Sequence, residues 1–337
     1  MNWNDELIKS ASQGNLAKVK ECLANGADAN AWNGLALNDA SSNGHFEVVK
    51  CLVEHGADVK NSCALRGASE YGHFEVVKYL VKHGADVNTR YFYKTALMYA
   101  LQNGHFEVVK YLVENSVDMN DDLYSASRYG HLETVKYLVE HGADVNYGLG
   151  GASSNGHLEV VKYLVENSVD VDAGNGKALG SASWYGHFEV VKYLVENGAD
   201  VNAKDGEALL NASSNGHFEI VKYLVENGAD MNAKGDDGRT ALMYASENGY
   251  FEIVKYLVKN GANVNAENCG KTAIDVAKNY EVRAFLEKAE KLKDDFKESA
   301  KQGNLEKVKE CLANGVYVNA NDGVALRDAL KDRKSVV

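Results

Sequence analysis

The stretch Gly186–Ala203 reads GHFEVVKYLVENGADVNA, and close copies of it start at Gly44, Gly72, Gly104, Gly130, Gly156 and Gly216. In the copy that starts at Gly44, the spacing of Phe46, Val49, Leu52 and Val53 predicts one apolar stripe on an amphipathic helix. Gly56, Gly84, Gly142, Gly198, Gly228 and Gly261 stand where the end of such a helix needs a left-handed cap. On the N-terminal side, Leu97/Ala100, Leu179/Ala182 and Leu242/Ala245 repeat a one-turn spacing, which predicts a short first helix that the marker glycine then breaks. Each copy is therefore a pair of helices.

The marker glycine recurs at Gly14, Gly44, Gly72, Gly104, Gly130, Gly156, Gly186, Gly216, Gly249 and Gly303, with Asn279 standing in once, at intervals of 24 to 33 residues. That makes eleven repeats. Neither helix of a pair is long enough to bury its stripe alone, so the pairs must stack, and an all-α solenoid follows.

The motif GHFEVVKYLVENGADVNA, preceded in its fuller form by TALMYA (95–100), resembles the ankyrin repeat over nearly the whole chain. The resemblance implies a stack of about eleven antiparallel helix pairs with β-hairpin fingers between them. It also implies a non-catalytic protein that binds partner proteins through a concave face. Near-identical arrays rich in Asn, Lys and Tyr and without Pro look like the ankyrin proteins of large DNA viruses and intracellular bacteria, which often act on host proteins; the scattered cysteines, with no signal peptide or membrane span expected, fit a reducing cytoplasm or host-cell cytosol.

Three features depart from the family pattern. The chain has no proline, so the TPLH tetrapeptide is absent and Thr95, Thr240 and Thr272 are left as N-caps. Only 89–94, 233–239 and 266–271 approach a full finger, so the other fingers should be short or truncated. Finally, 299–329 nearly restates 10–40 beyond a cap-like segment near 271–290. The expected organisation is a continuous solenoid over 1–290, followed by an additional repeat-like element and short tail over 291–337 that either stacks on the array or stands apart.

Composition narrows the function. The net charge of −12, with no basic cluster, repels nucleic acid. The N-terminal MNWNDELIKS carries acids and no continuous apolar run, so neither a signal peptide nor membrane insertion is expected. Five scattered cysteines form no pairing framework, and Cys22 and Cys311 occupy one equivalent helix position as small core residues. A monomer is expected.

Against this constant background, the residue before the marker glycine alternates: Asn43, Tyr71, Asn103, Tyr129, Asn155, Tyr185 and Asn215. The turn after the second helix alternates in step, HGAD with NSVD. In ankyrin proteins the two residues before this glycine end the first helix and face the groove, and here they include Tyr71, Arg128, Tyr129, Trp184 and Tyr185. Aromatic residues and Arg are enriched at binding hot spots. Either these side chains line a partner site or they pack against each other and the adjoining turn. Tyr91, Phe92 and Tyr93 crowd a second candidate, a finger that presents an anchor or folds back on the stack.

No catalytic residue, cofactor site or metal site is expected. The histidines at His45, His73, His105, His131, His157, His187 and His217 each precede a Glu by two residues, but the cysteine pair of a zinc deaminase is missing. A residue repeated in this way reads as a hydrogen bond between neighbouring turns. CGKTA (269–273) and GNGKAL (174–179) lack the first glycine of a phosphate loop. The reading is a protein-binding module, with a structural spacer or self-associating rod as the alternative.

Overall fold

A computed structural model describes residues 2–60, 63–91, 94–115 and 119–313. It holds 21 helices and, among the described residues, no strand beyond two isolated bridges. The helices alternate as the repeat demands, a first helix of variable length followed by a second of nine residues, as in Ala173–Tyr185 and Phe188–Glu196. The chain divides into two compact blocks, one of residues up to Ala152 with His157–Val169, the other of Ser153–Gly156 with residues from Asp170 onward. Each is a stack of helix pairs.

Within a second helix the buried stripe is Val48, Val49 and Leu52, with Cys51 beside it. The expected stripe is thus corrected: Phe46 and Val53 are only half-buried. The reason is that Phe46 lies at the edge of its helix and meets the next repeat edge-on, its ring 5.6 Å from Tyr79. The same T-shaped contact joins Phe74 to Tyr111, Phe106 to Tyr137, Phe188 to Tyr223 and Phe218 to Tyr256. Cys22 and Cys311 are buried, as their place in the repeat predicts, and burial pushes both thiols up.

The marker glycines have positive φ, and from Gly14 to Gly186 they face the imidazole of the next repeat, while Gly216 faces the Tyr250 ring and Gly249 faces Asn279. A Cβ on Gly44 would lie 2.5 Å from His73, and one on Gly186 would lie 2.6 Å from His217. The imidazole then reaches back to the end of the preceding first helix. His45 Nε2 lies 3.1 Å from the Ser12 carbonyl, His73 Nε2 3.0 Å from that of Ser42, and His217 Nε2 3.0 Å from that of Trp184. Gly and His therefore recur together because each touches the other's counterpart one repeat away.

Asn279 does not take the glycine's place. Its φ is −90°, it caps Tyr280–Lys301, and its side chain faces Gly249, so it occupies the histidine's slot. That 22-residue helix runs from the cap-like segment through residue 291 and packs on Leu305–Ala313, with Phe296, Ala300, Val308 and Cys311 forming a small core. The rest of the additional element, 314–337, lies outside the described residues.

The six predicted C-terminal glycines all have φ between 87° and 102°. In the NSVD form of the turn, Ser168 takes the same conformation at φ 68°. The coupled His/Asn alternation preserves one bond: His83 Nδ1 lies 2.7 Å from the Tyr79 carbonyl, and Asn167 Nδ2 donates to the Tyr163 carbonyl at 2.8 Å. Each side chain adds a second hydrogen bond to a carbonyl that already accepts from the cap residue's own N–H.

Fingers are of two kinds. At 266–271 a tight hairpin pairs Asn268 with Lys271, with Cys269 and Gly270 at φ 50° and 72°. Where the finger is trimmed, three consecutive residues turn left-handed instead: Trp32-Asn33-Gly34, Gly174-Asn175-Gly176 and Lys204-Asp205-Gly206. A side chain then ties successive turns: Asn30 Oδ1 accepts from the Asp58 N–H at 2.7 Å, and Asn202 Oδ1 from the Asp230 N–H at 2.8 Å.

Candidate protein-binding surface

The sequence candidates fall at the ends of first helices, where the chain turns at the marker glycine and the last side chains are uncovered. Tyr71 follows Ala64–Glu70 and is 59% exposed. Arg128 is exposed and Tyr129 half-buried at the end of Met119–Tyr129. Trp184 and Tyr185 close Ala173–Tyr185 at 45% and 59% exposure. The tyrosines also touch their own turn: the Tyr129 and Tyr185 rings lie 6.3 Å and 6.4 Å from His131 and His187.

The finger at 89–94 is different. Tyr91 pairs with Lys94 across an isolated bridge, and its carbonyl accepts a bond from the Tyr99 hydroxyl. Its own side chain is half-buried, and burial pushes the phenol's pKa up. Phe92 and Tyr93 lie outside the described residues.

In the second block the structure brings Trp184 together with residues that sequence reasoning did not single out. A hollow of about 500 Å³ is lined by Lys177, Ser181, Trp184, Tyr185, Lys204 and Asn211, among others. A second, of about 310 Å³, lies against Trp184, Lys204, Leu210, Asn211, Asp236 and Tyr244. The two share Trp184 and the Lys204–Glu207 pair, whose charged atoms are 3.0 Å apart. Trp184 is thus a partition between two concavities.

Ser181, Asn211 and Tyr244 come from one position of the repeat, five residues before the marker glycine. The signal for that column was present in the sequence, since TALMYA recurs at 95–100 and 240–245 and places Tyr99 and Tyr244 in register. Tyr244 is held firmly. Its hydroxyl donates to Asp237 Oδ2 at 2.8 Å, and Arg239 covers its ring at 5.7 Å. Burial, with the Asp237 bond adding to it, pushes its pKa up to about 12. Arg239 also binds Glu247, whose carboxyl is held below its usual range by hydrogen bonds from Lys278 and Arg239. This network pins the finger at 233–239 against the first helix Ala241–Asn248.

Among the described residues, no group of three or more His, Cys, Asp or Glu is placed to hold a metal ion, and no helix is long and apolar enough to cross a membrane. GNGKAL (174–179) forms a left-handed turn and CGKTA (269–273) a hairpin tip.

Stacked helix pairs, most of them joined to a neighbour by an imidazole or an edge-on aromatic ring, define within each block an α-solenoid repeat protein. A family model of ankyrin repeats matches residues 7–91, 89–148, 149–205 and 206–295. The chain belongs to the ankyrin-repeat family. Proteins of this family are in general protein-interaction modules and typically non-catalytic. No curated protein matches the chain.

Proposed function

We propose that this chain is a non-catalytic binding module that captures a partner protein on the ends of its first helices, with Trp184 as the principal anchor. The carrying observation is that an indole 45% exposed divides two hollows whose other walls are fixed from behind. His217 bonds the Trp184 carbonyl, and the Asp237–Tyr244–Arg239 network holds the far wall. Leaving a large apolar ring in water gives the fold no stabilisation, whereas a rigid aromatic beside concave walls is what a partner side chain can bury. In the first block, Tyr71, Arg128 and Tyr129 occupy the same repeat positions as Trp184 and Tyr185, and they are the further anchors.

The test is capture of partners from a cell lysate by the wild-type chain and by Trp184→Ala, after circular dichroism shows equal helicity. A hot-spot truncation costs about 2 kcal/mol of binding, roughly a thirtyfold loss of affinity. A partner retained with unchanged affinity by Trp184→Ala removes Trp184 from the site and moves the search to Tyr71 and Tyr129.

A further inference from the structure

The two hollows beside Trp184 differ in charge, and the difference is made by two residues that form no close ion pair among the described residues. In the first hollow, Lys177 is exposed and in no ion pair, while its neighbour Lys204 is engaged by Glu207 at 3.0 Å. In the second, Asp236 is exposed and in no close ion pair; its charge acts on Lys204, which Glu207 already engages at 3.0 Å, so the two carboxylates exceed the one ammonium. Asp237 is occupied there by the Tyr244 hydroxyl and by Arg239 Nε at 3.5 Å. Arg239, the cation on the other face of Tyr244, is itself held by Asp237 and Glu247. Each hollow therefore keeps one unmatched charge: positive on the Lys177 side of the indole, negative on the Asp236 side.

Both charges stand on backbone that is fixed for reasons unrelated to them. Lys177 follows the left-handed turn Gly174-Asn175-Gly176, and a Cβ on Gly176 would lie 2.5 Å from Ala203, so that turn is wedged against the next repeat. Asp236 lies in the finger closed by the bond from the Gly235 N–H to the Arg239 carbonyl at 3.0 Å. Unmatched charges of opposite sign on a fixed frame fit a ligand of the opposite order, because complementary charges set register and suppress reversed docking.

We propose that the two hollows form one bipolar site for an extended segment of a partner protein. The segment places a carboxylate against Lys177, an apolar residue across Trp184, and a cationic side chain against Asp236. This deepens the proposed function and rests on it. The second hollow, at about 310 Å³, has room for one long cationic side chain whose stem packs on Leu210 and the indole.

The probe is a library of blocked heptapeptides varied at each position among Arg, Glu, Gln and Leu, selected in parallel on the wild-type chain, Lys177→Glu, Asp236→Lys, the double variant and Trp184→Ala. Both charged residues are exposed, so the fold is not at stake, and circular dichroism verifies it. The wild-type chain should select peptides with Glu and Arg flanking Leu in one fixed order. Each single reversal should weaken those peptides about fivefold, the upper range for an exposed ion pair. The double variant should select the reversed order. Trp184-dependent selection with no charge order, or with an order unchanged in the double variant, overturns the bipolar site while leaving the groove intact. Selection indifferent to Trp184 overturns both.

Discussion

The joint at Gly104 and His131 differs from the joint at Gly186 and His217, although the sequence writes both as Gly followed one repeat later by His. At the second, a Cβ on the glycine would lie 2.6 Å from the imidazole, and Nε2 is 3.0 Å from the Trp184 carbonyl. At the first, the imidazole stands off at 3.7 Å and its Nε2 makes no well-formed hydrogen bond, only a loose approach of the ring to the Leu101 carbonyl. Repeat length does not explain it. The interval is 26 residues from Gly104 to Gly130 and again from Gly130 to Gly156, yet the next joint is closed, with His157 Nε2 2.9 Å from the Arg128 carbonyl. What coincides with the open joint is Leu101. The residue three before the marker glycine is a buried serine at Ser41, Ser69, Ser127, Ser153, Ser183, Ser213 and Ser246, but a fully buried leucine here. The added bulk next to the joint is the sequence difference that accompanies the shift, and it shows that Gly and His alone do not guarantee contact between repeats.

The largest way to break this comparison is to add the missing Cβ. Gly186→Ala combines a left-handed φ of 81° with a clash against His217, and should cost about 3 kcal/mol, the sum of backbone strain and overpacking. Gly104→Ala meets only the φ of 72° and should cost about 1 kcal/mol. Urea unfolding, with hydrogen exchange to localise the loss, checks the ranking. Equal costs would mean that the glycine is required for its φ alone.

A smaller contrast comes from the imidazoles. His217→Ala removes a bond to the Trp184 carbonyl, a loss of about 1 kcal/mol before packing is counted, and it loosens the end of the helix that carries the anchor. His131→Ala removes a nitrogen that makes no well-formed hydrogen bond, so relief of its desolvation offsets part of the lost packing. The first variant should therefore melt lower than the second, and it should also bind partners less well.

How much of this was visible beforehand follows from the range of the interactions involved. The second helices, their glycine caps and the structural role of the histidines were legible, because periodicity and a repeated φ requirement are local and recur in every copy. The left-handed turns were not. Trp32, Asn33, Lys204 and Asp205 all adopt positive φ, which no local preference of Trp or Lys predicts; the shortness of the trimmed finger and the packing of the next repeat impose it. Asn279 was placed one residue early, since only its capping bond to the Glu281 N–H distinguishes the histidine's slot from the glycine's. At the candidate site the alternation marked the tyrosine column, but whether those rings stand exposed or pack on their turns was open in the sequence, because exposure is decided by the neighbouring repeat. The walls of the hollows could not be read there, because Lys204, Asp236 and Tyr244 meet Trp184 only through the stacking of successive repeats.

The smallest effect is also the most specific to the open joint. Burial lowers the pKa of His131, partly offset by the nearby Leu101 carbonyl, so its folded value lies below the ordinary histidine value of about 6.5. The sign follows from proton binding. Above the unfolded value both states are neutral and stability does not vary with pH. As pH falls below it, the unfolded chain takes up the proton first and the folded state loses stability, until the folded value is passed and the loss levels off. The wild-type melting temperature should therefore fall across that window by more than that of His131→Gln, and the difference between the two curves isolates this residue from the other histidines. Leu101→Ser extends the same measurement. If the leucine holds the imidazole off, restoring the serine closes the joint, gives Nε2 its carbonyl and raises the His131 pKa read by NMR titration; an unchanged titration would show that Leu101 does not hold the joint open.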